Sequence, residues 1–316
     1  MREVLSIVSQ RLVHMKIIDA HVHAFRTLSG FGAKGEFRSI GGGKGVWATG
    51  EVAAVVPPQL YDDGFPAETL LGVMDSNNVE KAVLLQGGFL GFENYYIKEI
   101  LDAFPERFAG AATFDPFCRY ARQILENHIQ NLHFKIFKFE MSPMYGIMGN
   151  HAGFSLDSPW LMAYYAQFAA VGGVFVFDIG TFGDDSSQIE AVCSIADAFP
   201  CNDIVVCHLL LPRKDGVKVL VEKLGRMKRP NLHFDLSALF WDCSSNDFPF
   251  SGIRDCAARA KDIVGSEHLM WGSDAPSTLC KVPYNMQISY LMDIFSPAEQ
   301  EAVYYRNANR IYFQAE

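Results

Sequence analysis

The stretch KIIDAHVHAF, residues 16–25, decides the fold. Apolar Ile17 and Ile18 and the small Ala20 surround Asp19, and then His21 and His23 arrive two residues apart. Side chains alternate sides along a strand, so Asp19, His21 and His23 are expected on one face. Polar groups on a core-directed face cost free energy unless something pairs with them. A metal ion is one such partner, and a network of ordinary hydrogen bonds is the other.

Working outward, seven more short apolar runs follow: KAVLLQ (81–86), RFAGAATF (107–114), FKIFKF (134–139), GVFVFD (173–178), DIVVCH (203–208), NLHFDLS (231–237) and LMWGSD (269–274). Several are almost continuously apolar, as strands buried on both faces are. Helical patterns fill the intervals, at 66–77, 94–103, 120–131, 159–171, 187–198, 216–228 and 249–264. Pro159 and Pro249 suit a first helical turn and Gly172 a helix stop. Near the end, Ser296, Pro297 and Glu299 spell a helix start. Strand and helix alternating eight times predict a (β/α)8 barrel, with a doubly wound open sheet as the alternative. The barrel domain is expected over residues 15–316, with 1–14 as an extension outside it. The long segment 24–66 follows the first strand and is expected as an irregular loop at the C-terminal mouth, where substrate-binding elements gather. Its GGGKG run lacks the P-loop spacing and reads as a flexible loop.

A length of 316 residues allows a large core. Hydrophobic content of 49% with 20% charged residues is that of a soluble globular chain. A net charge of −9 gives nucleic-acid binding no electrostatic support. The seven cysteines form no C-x-x-C pair, which suggests a reduced, cytoplasmic protein. No apolar run reaches the roughly 18 residues of a membrane span. The expected partner is a small-molecule substrate, and a homo-oligomer would be ordinary for such an enzyme.

Chemistry-bearing residues end the strands: His21 and His23 on the first, Lys138 with Glu140 on the fourth, Asp178 on the fifth, His208 on the sixth, Asp235 on the seventh and Asp274 on the eighth. In a parallel barrel these ends converge on one rim. Each residue alone has a plain structural reading. Asp274 and Asp178 could cap turns, Lys138 could pair with Glu140, and His208 could be a hydrogen-bonded core histidine. Asp235 is read structurally.

IIDAHVH, VVCHL and MWGSDAP together resemble the amidohydrolase superfamily. The closer resemblance is to its amidohydrolase-related branch, which includes enzymes like aminocarboxymuconate semialdehyde decarboxylase. FPERFAGAATFDP (104–116) and SPAEQEAVYYRNANRIY (296–312) are similar to that branch's third strand and closing helix. The resemblance implies metal ligands at His21, His23 and Asp274, and a sixth-strand histidine at His208. Its fourth-strand position falls near Lys138. Where the family usually places a histidine ligand on the fifth strand, this chain has Asp178, which can bind metal through oxygen.

The resemblance thus implies a hydrolase with one divalent metal, zinc first and manganese second, held by His21, His23, Asp274 and Asp178. Asp274 is expected as general base then acid, and His208 as the group orienting water or the oxyanion. Lys138 and Arg213 are candidate substrate-binding cations. The alternatives are non-oxidative decarboxylation of an unsaturated or aromatic carboxylate, with Lys34, Arg38, Lys44 or Arg213 holding the acid, and a barrel whose site has decayed.

Overall fold

The computed structural model describes residues 15–313, so the expected extension over 1–14 lies outside the described residues. All eight expected strands form: β1 (Ile18–Val22), β6 (Lys81–Leu84), β7 (Phe108–Ala112), β8 (Ile136–Glu140), β9 (Val174–Asp178), β10 (Ile204–Val206), β11 (Leu232–Asp235) and β12 (Leu269–Met270). They pair in parallel in that order. The ring closes where Ala20 N–H donates to the Trp271 carbonyl at 3.0 Å and Asp274 N–H to the His21 carbonyl at 2.7 Å. The fold is a (β/α)8 barrel. Helices α1 (Ala67–Ser76), α2 (Asn94–Ala103), α3 (Ala121–Gln130), α4 (Pro159–Ala170), α5 (Ile189–Ala198), α6 (Val217–Met227) and α7 (Ser251–Val264) connect successive strands. After β12 come α8 (Tyr284–Ser289), α9 (Pro297–Glu301) and α10 (Asn307–Tyr312). Asn307 ties the closing helix to the barrel by donating to the carbonyls of Ser266 and Leu269, both at 2.8 Å.

Small and branched side chains fill the lumen: Ile18, Ala20, Val83, Ala111, Val176 and Val205 pack together. The opposite faces of the strands bury Ile17, Val22, Ala82, Leu84, Phe175 and Phe234. This separation overturns one expectation. The β1 register slips between Asp19 and Val22, so one extra residue sits opposite β6. A bulge of this kind breaks the alternation of faces. Asp19 therefore faces the surrounding layer, where Tyr284 of α8 donates to it at 2.6 Å, while His21 is turned toward the lumen-facing Asp235. The histidines meet without Asp19.

The segment after β1 is also more ordered than expected. It forms a four-stranded antiparallel sheet, β2 (Ser29–Gly32), β3 (Gly35–Gly41), β4 (Lys44–Trp47) and β5 (Val52–Ala54), in the order β2-β3-β4-β5. GGGKG makes the β3–β4 turn. Gly41, Gly42 and Gly43 adopt φ of 81°, 63° and 69°, a region that costs residues with a Cβ. Phe37 and Trp47 sit opposite each other in the ladder with ring centroids 4.5 Å apart, and both are buried. Gly45 leaves room for them, since a Cβ there would stand 2.2 Å from the Phe37 ring.

Gly272 sets how closely β1 and the chain after β12 approach. A Cβ at this position would lie 2.9 Å from His21 Cβ and 3.2 Å from Ser237 Cβ. The Gly272→Ala variant is expected to lose about 1–3 kcal/mol of stability, because the barrel must shift to admit one methyl group. Chemical denaturation checks this, and an unchanged midpoint contradicts it.

Candidate active site

Asp235 is the fixed point at the C-terminal rim. Its Oδ1 accepts from His208 N–H at 2.9 Å, Ser237 N–H at 3.1 Å and the Ser237 hydroxyl at 2.5 Å. Its Oδ2 accepts from His21 Nδ1 at 3.0 Å. Burial alone would raise its pKa, but His21, His208 and Ser237 outweigh that and hold it well below the usual carboxylate range. An ionised carboxylate only accepts, so the His21 proton is on Nδ1 and its Nε2 carries a lone pair. That Nε2 is buried and has no hydrogen-bond partner among the described residues. Burial keeps the ring neutral, with its pKa lowered to about 4.

His23 reaches the same arrangement from a different contact. Its Nδ1 lies 2.8 Å from the Leu85 carbonyl, which can only accept, so Nδ1 carries the proton. Its Nε2 lies 2.9 Å from Asp274 Oδ1. The Asp274 pKa is lowered: burial would raise it, and the His23 contact with the His208 and His21 rings prevails. Its Oδ1 is also 3.6 Å from His21 Nε2. These three ligand atoms lie within 4.8 Å of one another. A tetrahedral zinc with bonds of about 2.0–2.1 Å would space neighbouring donors roughly 3.3 Å apart, between the two closer separations seen. The donor set and the unpartnered Nε2 therefore fit a divalent metal.

A second triple, His21, Cys207 and Asp235, is explained without an ion. His21 already donates to Asp235, and burial pushes the Cys207 thiol pKa well up, so it stays protonated.

The remaining charged groups form a chain beside these. His208 Nδ1 is 2.8 Å from the Ser237 hydroxyl, whose own proton goes to Asp235, so this nitrogen donates. Its Nε2 is 3.4 Å from Asp178 Oδ2, and Lys138 Nζ is 3.7 Å from the same oxygen. Burial opposes the charge on His208, but Asp178, Asp274 and Asp235 raise its pKa to about 10. Burial likewise opposes the charge on Lys138, and Asp178 is the foremost of the carboxylates that raise its pKa above the ordinary value. Asp178 itself is held low, His208 and then Lys138 overcoming its burial. Glu140 pairs in register with Asp178 across β8 and β9 and accepts from the Ser142 hydroxyl at 2.8 Å and Gly88 N–H at 3.1 Å. Burial and the Asp178 charge raise its pKa to about 7. His208 and Asp274 both have left-handed backbones, with φ of 58° and 60°, conformations that non-glycine residues hold only where surrounding structure enforces them.

His21, His23, Lys138, Asp178, His208 and Asp274 thus meet at one rim, as the strand ends implied. Arg213 does not join them: it is exposed and outside the residues lining the mouth cavity. Lys34 pairs with Glu51, Arg38 lies 3.6 Å from Glu36, and Lys44 is exposed. Lys138 pairs with Asp178 at 3.7 Å rather than with Glu140. Sequence reasoning undervalued Asp235 and missed Ser237. The available signal was their spacing from His233, since residues 233, 235 and 237 alternate along one strand and its extension. It also missed the aromatic lid over the rim. Phe37, Trp47, Phe89, Tyr145 and Trp241 line a cavity of about 170 Å³ whose floor includes His23, Lys138, Asp178, His208 and Asp274.

Asp235→Asn probes the proton on His21. With the amide oxygen kept on the three donors, its NH2 group would face Nδ1 and force the ring proton to Nε2. Imidazole nitrogen NMR is expected to show this tautomer switch, and an unchanged spectrum would contradict the hydrogen-bond assignment.

A family model described as amidohydrolase matches residues 18–314. No curated protein sequence matches significantly. Among solved structures, a probable 2-pyrone-4,6-dicarboxylic acid hydrolase from Acinetobacter baumannii with bound citric acid is 17% identical, with a TM-score of 0.67 over 95% of this chain and 100% of that one. An amidohydrolase from Burkholderia multivorans with bound zinc is 16% identical, with a TM-score of 0.68 over 95% and 99%. A 5-carboxyvanillate decarboxylase from Sphingomonas paucimobilis is 17% identical, with a TM-score of 0.53 over 78% and 82%. At these identities the likeness is one of fold.

Proposed function

The chain belongs to the amidohydrolase family, and from that premise we propose that it hydrolyses a carbonyl-type bond of a small molecule with the help of one divalent metal. The observation that carries this reading is the unpartnered, lone-pair-bearing Nε2 of buried His21, aimed at the same place as His23 Nε2 and Asp274 Oδ1. Two imidazoles and a carboxylate suit zinc first and manganese second. A metal bound by His21, His23 and Asp274 would polarise the substrate carbonyl and ease deprotonation of water.

This chain's own residues supply the rest. Asp274, kept ionised, takes a proton from the attacking water and returns it to the leaving group. Charged His208 directs Nε2–H toward the oxygen that gains negative charge at the carbonyl. Lys138 and Asp178 hold that imidazolium in place. In this reading Asp178 serves the His208 charge rather than acting as a fourth ligand. Asp235 and Leu85 fix the two ligating rings in the tautomer that a metal requires. Decarboxylation of an acid would call on cations to hold it. Lys34, Arg38, Lys44 and Arg213 do not line the cavity, which leaves Lys138 and His208 as the cations on its floor.

Metal analysis of protein purified without chelator or added metal tests the reading. Near one equivalent per chain is expected, lost in a His21→Ala/His23→Ala double variant. A wild-type chain that holds none even after reconstitution contradicts it. His208→Asn is expected to lower turnover by about 10²–10³-fold while metal content stays near wild type. Loss of the metal in that variant would make His208 a ligand.

A further inference from the structure

A second cavity opens at the same rim, next to the mouth. It has a volume of about 270 Å³ and is lined from the ends of β6, β7 and β8, with the roof strand β2 along one side. Phe31 N–H donates to the Gly88 carbonyl at 2.9 Å and holds β2 there. Gly30 permits the contact, since a Cβ at that position would stand 2.0 Å from the Phe89 carbonyl oxygen. Thr113 and Glu140 are the buried part of the lining, while Ser29, Phe31, Phe92 and Asn150 are exposed at its edge.

The fold does not use up the polar groups of this cavity. Thr113 is only 3% exposed. Its backbone N–H and carbonyl are both bonded to the Asn94 side chain, at 2.9 and 3.0 Å, but its hydroxyl has no hydrogen-bond partner among the described residues. The side chains of Ser29 and Asn150 have none there either. A buried hydroxyl without a partner is an exception that calls for a ligand or water. Asp115 accepts from Phe117 N–H and lies 2.8 Å from His151 Nε2, which leaves it lone pairs to spare. Glu140 is balanced: burial and Asp178 favour its protonated form and Lys138 its ionised form, so near neutral pH it both donates and accepts. A hydroxyl group also does both and matches either form, whereas an ammonium only donates and a carboxylate only accepts. Phe31 and Phe92 offer apolar surface to a carbon skeleton.

We propose that this second cavity is a binding site, separate from the mouth, for a neutral polyol: a compact chain or ring with several adjacent hydroxyl groups. Its carbon skeleton lies against Phe31 and Phe92. Its hydroxyls meet Thr113 and Glu140 at the buried end and Asp115 and Asn150 further out. No step of the hydrolytic reading is used, so the site stands whether or not the mouth turns a substrate over.

NMR titration of the full chain, isotope-labelled at its threonine methyl groups, tests this with erythritol and 1,4-butanediol, which share one carbon chain and differ by two hydroxyls. Erythritol is expected to shift the Thr113 methyl resonance saturably and to bind about tenfold more tightly than butanediol, the worth of two further hydrogen bonds. Thr113→Val removes the hydroxyl and keeps the shape. It is expected to cut the preference for erythritol to below about threefold, read from the ligand signals, with the unfolding midpoint unchanged because that hydroxyl has no partner to lose. Thr113→Ser should restore the preference. Asn150→Ala, at the exposed edge, gives the same comparison if Thr113→Val fails to fold. Treatment with EDTA should leave erythritol affinity within about twofold, since the site needs no metal. A Thr113 methyl that does not respond, equal binding of the two ligands, a preference indifferent to Thr113→Val and Asn150→Ala, or erythritol binding lost with EDTA would each overturn the proposal.

Discussion

One extra residue in β1 is the constraint on which the site depends. Strict alternation would send His21 to the side opposite Ala20, among the packed helices. The bulge between Asp19 and Val22 turns His21 toward Asp235 in the lumen instead. It leaves Asp19 outside, where it accepts from His21 N–H at 3.1 Å, Ser273 N–H at 2.9 Å, the Ser273 hydroxyl at 2.5 Å and Tyr284 at 2.6 Å. Asp19 thus pins the bulge to the chain after β12. Burial raises its pKa to about 6 despite these donors, a sign of how completely that side is closed to water.

From there the site is built by acceptors that decide where protons go. Asp235 gathers four donors and so fixes both His21 and His208. The Leu85 carbonyl does the same for His23. The outcome is a pair of imidazoles whose Nε2 atoms both turn toward the Asp274 carboxylate, an arrangement suited to a cation. Next to it, Asp178 stabilises two buried cations that burial alone would neutralise. Neutral imidazole on one side and imidazolium on the other, a few ångströms apart, are the products of different carboxylate contacts.

Much of this could be read in the sequence, and the failures have physical causes. The eight lumen strands announce themselves because burial on both faces forces continuous apolar runs such as VFVF and IVV. The rim histidines and aspartates follow once strand ends are known to converge. The bulge is different: ID and AHV carry no local signal of an extra residue, since the slip is set by pairing with β6, far along the chain. The roofing sheet was hidden for another reason. SGFG, GEFRSIG, KGVW and VAA are rich in glycine and polar residues, and only Phe37 and Trp47 supply its buried ring pair. Sheets of that composition lack the β-branched pattern by which strands are recognised. Asp235 could be mistaken for a turn cap because an aspartate at a strand end does both jobs with the same local sequence.

The roof leaves and rejoins the barrel at a single point. Phe25 and Phe65 exchange paired backbone hydrogen bonds at 3.0 and 2.9 Å, so everything between them is a loop with a closed neck. Because the cost of closing a loop grows slowly with its length, such a segment can be lengthened, shortened or replaced with little effect on the barrel below. The histidines lie on the barrel side of that neck, and of the aromatic wall Phe37 and Trp47 lie beyond it while Phe89, Tyr145 and Trp241 come from other barrel loops. The roof's share of the mouth, Phe37 and Trp47, can therefore be exchanged as a cassette, while the histidines and aspartates of the rim stay fixed by the barrel.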